Sequence, residues 1–575
     1  MSKLLHWKKC LACLLAFALC SALLCVGAGA SAQSAFSLGD GTEDNPYQIQ
    51  TVDQLKAVAD DLDAHYILVA DLDLGGESSP WTPIGSSYPS FTGTFDGGGH
   101  TISGLYVNGN SSDRGLFGCV GSGGTVKNLN VSGSVTGANY VGGVVGRNSG
   151  GTVESCGSLC SVNGYDYVGG VVGWNSGGTV TGCFNTGSVR SAGVSSYAGG
   201  IVGWSNISDS RVNGCVNTGS VTGTASSSKA GGIVGLSNSS TISGCTNYGA
   251  VTGEGANSNV GGIVGCIVGG SVSNCYNTAS VSGGDANSIG GVAGVNSGSV
   301  SNCYSSGAGS GVAGSGGGSV SNCYYLAESE TDTIGGTTFK TTEQFASGEV
   351  AWLLQNAQTD DVWGQDIGED ASPLLTAQNR VYRALFMNGS TEHAARYCNS
   401  GGTVSLPGAP DAPSGQAFDG WFSGETEFTA STVISSDMTL NARFSNILVC
   451  SIQLSSGSLT LQVGSTHTLT ATVEPEDAAN RGITWLSSDT SVATVGDSGL
   501  VTAAGVGTAT ITASAQDGSG VSAKCPVTVT PLPTYTVTVN DSYAVQSGAG
   551  SYVEGASVTV SAGERAGYRF AGWTA

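Results

Sequence analysis

From about residue 140 onward the apolar positions come in clusters of one to three, bracketed by Gly, Asn, Ser or Thr, and the clusters recur. A Gly-Gly-x-x-Gly element begins at Gly142, Gly169, Gly199, Gly231, Gly261 and Gly290, at intervals of 27, 30, 32, 30 and 29 residues. A cysteine keeps step with it at Cys156, Cys183, Cys215, Cys245, Cys275 and Cys303. The stretch Val168 to Cys183 is nearly repeated by Val260 to Cys275; an earlier unit opens at Gly115 and a shortened one runs from Gly311 to Cys323. Each unit predicts three short β pieces: the apolar pair after Gly-Gly, a Thr-Val-x-x-Cys piece and a Ser-Val-x-Gly piece. Pieces this short cannot form a sheet alone, and one unit cannot bury a core. Stacking one coil per unit solves both problems, because each piece then pairs with its equivalent about 4.8 Å away. Seven or eight such coils make a parallel β-helix on the order of 35 Å long. Helical repeats of similar length are excluded by the glycine density and the missing 3.6-residue period.

In-register stacking turns equivalent positions into columns. Cys156 through Cys323 are expected to line up inward as small, weakly polar side chains. A disulfide between neighbours is conceivable, but parallel stacked side chains rarely give its torsion, which favours free buried thiols. Asn185, Asn217, Asn247 and Asn277 each follow a column cysteine by two residues. They read as turn residues that tolerate left-handed backbone and bond amide to amide between coils; a polar binding stripe is the functional alternative. Trp174 and Trp204 share one repeat position in neighbouring coils. They form either a platform for a sugar or peptide or packing under a loop. Tyr165-Asp166-Tyr167 is the one place where an acid sits among aromatics, with a loop decoration as the plainer reading.

The open ends of such a stack need covering. Thr51-Val-Asp-Gln54 reads as a capping box opening a short helix with Leu55, Val58 and Leu62 on one face. Glu343 to Asn356 is a second helical stretch, and both are expected to cap the solenoid. After about residue 382 the pattern becomes alternating. From Ile452 to Val529 short strands separated by turn signals predict a β-sandwich, with Trp485 as a core anchor. Cys450 and Cys525, at its two ends, could meet on neighbouring edge strands.

At 575 residues the chain is long enough for three to five domains. Its 93 Gly lack collagen's three-residue period, and 39% hydrophobic residues exclude a disordered Gly/Ser linker for most of its length. Lys3, Lys8 and Lys9, the apolar run Leu11 to Val26 and the small residues Ala28 to Ala32 read as an export signal; the run is short for a membrane span. Removing it leaves 16 basic against 42 acidic side chains, a net charge of about −26. Such a chain repels nucleic acid and anionic lipid. Four of the 17 cysteines leave with the signal, and the remaining thirteen cannot all pair within one chain.

The glycine units, together with Trp81-Thr-Pro-Ile-Gly85 and Phe95-Asp-Gly-Gly-Gly-His-Thr-Ile-Ser-Gly-Leu-Tyr106, resemble the GLUG motif over about residues 38 to 326. The resemblance implies a bacterial surface protein with a parallel β-helix; some family members carry a metallopeptidase domain that cleaves immunoglobulin A. Phe418-Asp-Gly-Trp-Phe422 with Met438 to Phe444 resembles the Listeria–Bacteroides type repeat, a β-grasp-like module. Trp485 to Val495, Gly499 to Ala503 and Gly507 to Thr512 resemble the bacterial Ig-like group 2 domain. Tyr535 to Trp573 is similar to a second, divergent copy of the β-grasp-like repeat and stops soon after its Gly-Trp, as a truncated frame would. The expected organisation is a signal at 1–32, an N-terminal cap and lead-in at 33–110, the solenoid at 111–326 and a helical cap at 327–382. The repeat follows at 383–444, the Ig-like domain at 445–531 and the divergent repeat at 532–575.

The sequence offers little for catalysis. His-Glu-x-x-His is absent, no Gly-x-Ser-x-Gly elbow has plausible partners, and no Gly-Lys-Ser/Thr follows a strand. A polysaccharide-active β-helix enzyme would need clustered carboxylates or a cation site. Glu154, Asp166, Asp209, Glu254 and Asp285 instead fall at different points of the repeat. Cys156 and Cys160 alone approach metal-ligand spacing, so no metal or cofactor is expected. The reading that remains is a non-enzymatic, monomeric protein of a bacterial cell surface or wall. It would adhere to a surface glycan or protein through Trp174, Trp204, Tyr165, Asp166 and Tyr167, or serve as a stalk presenting a further domain.

Overall fold

The computed structural model describes residues 35–284, 287–307, 311–329 and 336–574. The expected export signal, with Cys10, Cys13, Cys20 and Cys25, and the acid Asp285 lie outside the described residues. The chain divides into two compact units: the first runs through Ala384 and includes Arg396–Val404 and Val433–Met438, and the second holds the rest.

The first unit is a parallel β-solenoid in four sheets. Sheet 1 has 11 strands, from Tyr47–Ile49 to Ser319–Ser321. Sheet 2 has 8, from Phe117–Val120 to Ala313–Ser315; sheet 3 has 15; sheet 4 has 6, from Val141–Gly142 to Ser288–Gly290. The ladder of sheet 1 reaches back into the lead-in segment, where Tyr47–Ile49 pairs with His65–Leu68 and that strand with Thr94–Asp96. A coil contains five short strands, not the three predicted. In residues 197–223 they are Tyr197–Gly199 in sheet 4, Val202–Asn206 in sheet 2, Arg211–Asn213 in sheet 1, and Val216–Asn217 and Val221–Gly223 in sheet 3. The two unforeseen pieces turn only Ala198 and Asn217 inward, which leaves almost no apolar signal. Coil-to-coil pairing nonetheless satisfies their backbone groups.

Strand alternation fills the interior with Val153, Val180, Val212, Ile242 and Val272 from sheet 1, all fully buried. The Gly-Gly element is dictated by space. A Cβ on Gly232 would lie 2.1 Å from the Gly262 carbonyl oxygen and 2.3 Å from Asn247 Cγ. The amide ladder forms as expected: Asn185, Asn217 and Asn247 each donate through Nδ2 to the Oδ1 of the next Asn at 2.8 Å. These residues lie in strands, however, and the left-handed turn falls elsewhere. It is the residue before each column cysteine: Ser155 at φ 50°, Gly182, Gly214 and Gly244 at 61° to 62°, and Asn274, Asn302 and Asn322 at 51°, 52° and 47°. The chain turns the corner there, and an Asn two residues after the cysteine is needed inside as a hydrogen-bonding group.

The column cysteines are buried free thiols. Cys245, Cys275 and Cys303 donate to the carbonyls of Ser243, Ser273 and Ser301 at 3.2, 3.2 and 3.1 Å. The Cys215 amide donates to Cys245 Sγ at 3.5 Å, a link between coils. Cys450 and Cys525 are also free, the first exposed and the second buried. Of thirteen free thiols among the described residues only Cys450 is exposed. In the chain lacking residues 1–32, a thiol-reactive maleimide is therefore expected to label one thiol within minutes in the native state and thirteen after denaturation, read by intact mass; labelling of several solenoid cysteines in the native protein would contradict this packing.

Thr51 caps the helix Val52–Ala57 through the expected capping box with Gln54, and Leu55 and Val58 are buried in the solenoid core. The second helical stretch differs from expectation in two ways. It is split into Thr342–Ala346 and Glu349–Asn356 by Gly348, whose φ of 88° no helix accommodates. Phe345, Val350 and Leu354 also pack with Trp363 on Tyr276, Tyr304 and Tyr324, one column crossing three coils. The helices thus cover a flank of the solenoid. The last strand of sheet 3 is Thr337–Lys340, paired on Cys323–Leu326.

In the second unit Gln416–Ser423 pairs antiparallel with Thr426–Phe428 and with residues 441–446, and buried Trp421 packs on Phe386, which also packs on Phe428. The Ig-like sheets enclose Leu469, Val501, Ile511, Cys525 and Val527, and Trp485 packs on that core as predicted. Thr534–Val537 and Gly550–Val553 form an antiparallel pair.

Candidate functional site

Sheet 2 alternates as any strand does, so while Asn175 and Ser205 point inward and are fully buried, Trp174 and Trp204 point outward. They are register partners, with ring centroids 5.7 Å apart. The column they belong to continues as Cys119, Arg147, Trp174, Trp204, Leu236 and Cys266.

A second column flanks the first at the edge of sheet 4. Tyr140, Tyr167 and Tyr197 stack at 5.1 Å per step, and Lys229 takes the next position. The columns interlock, with Tyr140 5.3 Å from Trp174, and Tyr167 and Tyr197 5.0 and 5.9 Å from Trp204. All five rings are half-buried, presenting part of their faces and edges to solvent. Both indole N–H groups are buried without a partner among the described residues. A cation closes each end. The Arg147 guanidinium lies 4.3 Å over Tyr140 and 4.9 Å over Trp174, and is held by Asp113 at 2.9 Å. The Lys229 ammonium lies 5.3 Å over Tyr197 and donates to the Ser227 carbonyl at 3.0 Å.

The structure therefore brings Trp174, Trp204 and Tyr167 into one patch, with Asp166 at its edge. Burial raises the Asp166 carboxyl above its ordinary value, and that carboxylate in turn adds to the upward shift that burial gives Tyr167 and Tyr197. Tyr165 points out, exposed, next to it. Sequence reasoning missed Tyr140, Tyr197, Arg147 and Lys229. The signal was present: Tyr140, Tyr167, Tyr197 and Lys229 all stand two residues before a Gly-Gly element.

The patch brings π faces together with the Arg147 and Lys229 cations and the Asp113 and Asp166 carboxylates. No group of three or more His, Cys, Asp or Glu side chains is placed to hold a metal ion among the described residues. Cys156 and Cys160, at ligand spacing in the sequence, each donate to backbone carbonyls at 3.3 to 3.5 Å. Glu254 forms a 3.7 Å pair with Arg190. No helix among the described residues is long and apolar enough to cross a membrane.

With the geometry in place, comparison with known proteins assigns the modules. The chain carries the GLUG motif at residues 164–190 and 256–282, a Listeria–Bacteroides repeat domain at 382–443, a bacterial Ig-like domain (group 2) at 448–525 and a divergent InlB B-repeat domain at 535–575. These are repeat and Ig-like modules, which fits a surface protein. Among curated relatives, Halomucin of Haloquadratum walsbyi is 40% identical over 124 residues, 19% of this chain and 1% of that protein. A protein of Evansella cellulosilytica named as a Gly-rich membrane protein is 37% identical over 131 residues, 21% of this chain and 15% of that one. The chain thus spans only a small part of the relatives it matches. Among solved structures, a Bacteroides ovatus protein assigned as an immunoglobulin A1 protease aligns at 23% identity, covering 60% of this chain and 96% of that one, with a TM-score of 0.38.

Proposed function

We propose that the protein is a non-catalytic bacterial surface adhesin, and that an extended glycan lies along the solenoid on the Tyr–Trp double ladder. The observation that carries this reading is the interlocked pair of columns, Tyr140, Tyr167 and Tyr197 beside Trp174 and Trp204. Aromatic faces recognise the apolar C–H face of a sugar ring, and side chains already stacked lose little freedom on binding. Rungs repeating about every 4.8 Å suit a ligand that itself repeats. Asp166 and Tyr165, at the edge of the patch, are placed to meet sugar hydroxyls. We read residues 1–32 as the export signal that takes the chain to the surface, and the domains after residue 382 as spacers.

On a glycan array the full chain is expected to bind a defined subset of oligosaccharides. The Trp174→Ala, Trp204→Ala double variant should bind at least about tenfold more weakly, with an unchanged far-ultraviolet circular dichroism spectrum. A full chain that binds no glycan, or a double variant that binds as well as the parent, would leave the stalk as the better reading.

A further inference from the structure

The two ends of the aromatic ladder differ. Arg147 is neutralised by Asp113, whereas Lys229 forms no salt bridge among the described residues; it donates to the Ser227 carbonyl, lies over the Tyr197 ring and interacts electrostatically with the Cys266 thiol, which burial keeps protonated. Lys229 is half-buried, and removing an ammonium from water without a counter-charge is costly. This stands out in a chain with 42 acidic and 19 basic side chains, where carboxylates are in excess. Lys229 also stands one rung beyond Tyr197 and Trp204, at the same column position as the tyrosines, so a chain stacked on the rings reaches it directly. We infer that the ligand is an anionic polysaccharide of uronic-acid type, with one carboxylate seated on Lys229 while neighbouring sugar rings stack on Trp204 and Trp174.

This inference rests on the glycan reading above and adds the charge of the ligand. Lys229 and Arg147 lie on coils three rungs apart, about 14 Å, so the patch spans a few sugar units. Asp166 repels an anion at the tyrosine rungs, which confines the favourable carboxylate position to the Lys229 end.

The test is calorimetric titration of the full chain with tetragalacturonate and with its carboxyl-reduced, neutral tetrasaccharide. The acidic probe is expected to bind about tenfold or more tightly at low salt, the gap shrinking as ionic strength rises. Lys229→Gln should abolish the preference by weakening the acidic probe about tenfold more than the neutral one, Lys229→Arg should keep it, and Asp166→Asn should increase it. Equal binding of the two probes, or a preference that survives Lys229→Gln, overturns the inference while leaving the glycan reading intact. Binding of neither probe at millimolar concentration overturns both.

Discussion

Replacing Gly232 by alanine is expected to destabilise the solenoid by about 3 kcal/mol, whereas alanine at Gly284 should be nearly silent. The added methyl of the first variant would meet the Gly262 carbonyl oxygen at 2.1 Å and Asn247 Cγ at 2.3 Å, and neither can step aside. The carbonyl is main chain of the adjoining coil. The Asn247 amide is fixed by its own bonds to Asn277 Oδ1 and the Gly249 carbonyl, both at 2.8 Å. Relief must come from parting two coils, which strains several ladder hydrogen bonds together. A Cβ on exposed Gly284 meets nothing within 4 Å. Urea unfolding followed by tryptophan fluorescence separates the two outcomes, and a Gly232 variant as stable as the parent would mean that the coils are less tightly stacked than described.

Alkaline conditions are the second strong perturbation. Burial holds the Cys156, Cys275 and Cys303 thiols well above their ordinary value of 9.0 and pushes Cys160 up to about 12. The unfolded chain loses these protons from pH 9 upward while the folded chain keeps them. The stability they contribute is thus fully present below pH 9 and is lost as the pH climbs toward the folded values. Each thiol that stays protonated in the fold lowers stability by up to about 1.4 kcal/mol per pH unit above 9, so stability is expected to fall through that range. Urea midpoints at pH 8, 9 and 10 give the slope, and Cys275→Ala and Cys303→Ala should each make it shallower. An unchanged slope would show that these thiols are not held protonated by burial.

The solenoid was legible in the sequence because its glycine, cysteine and asparagine columns share one period, and identical positions must stack alike. What escaped was whatever that period does not encode in apolar residues. Val216–Asn217 and Tyr197–Gly199 form strands because neighbouring coils supply their backbone partners, and a pattern scan sees only one inward side chain in each. The helical stretch near residue 350 was visible, but its seat was not. That depends on Tyr276, Tyr304 and Tyr324 facing outward, a consequence of Cys275, Cys303 and Cys323 facing inward. Three of the five rings of the aromatic patch, Trp174, Trp204 and Tyr167, could be read from the sequence. Tyr140 and Tyr197 were hidden because the corner that brings them beside the indoles lies between two sheets, where one-dimensional spacing does not measure distance.

Because each coil bonds only to the coils before and after it, the gap between Arg147 and Lys229 is a count of repeats. Insertion or loss of one 27- to 32-residue cassette between them would lengthen or shorten that gap by a single rung and leave every other contact of the stack in register. The protein thus carries a ruler graduated in coils, which recombination among near-identical repeats can reset one mark at a time.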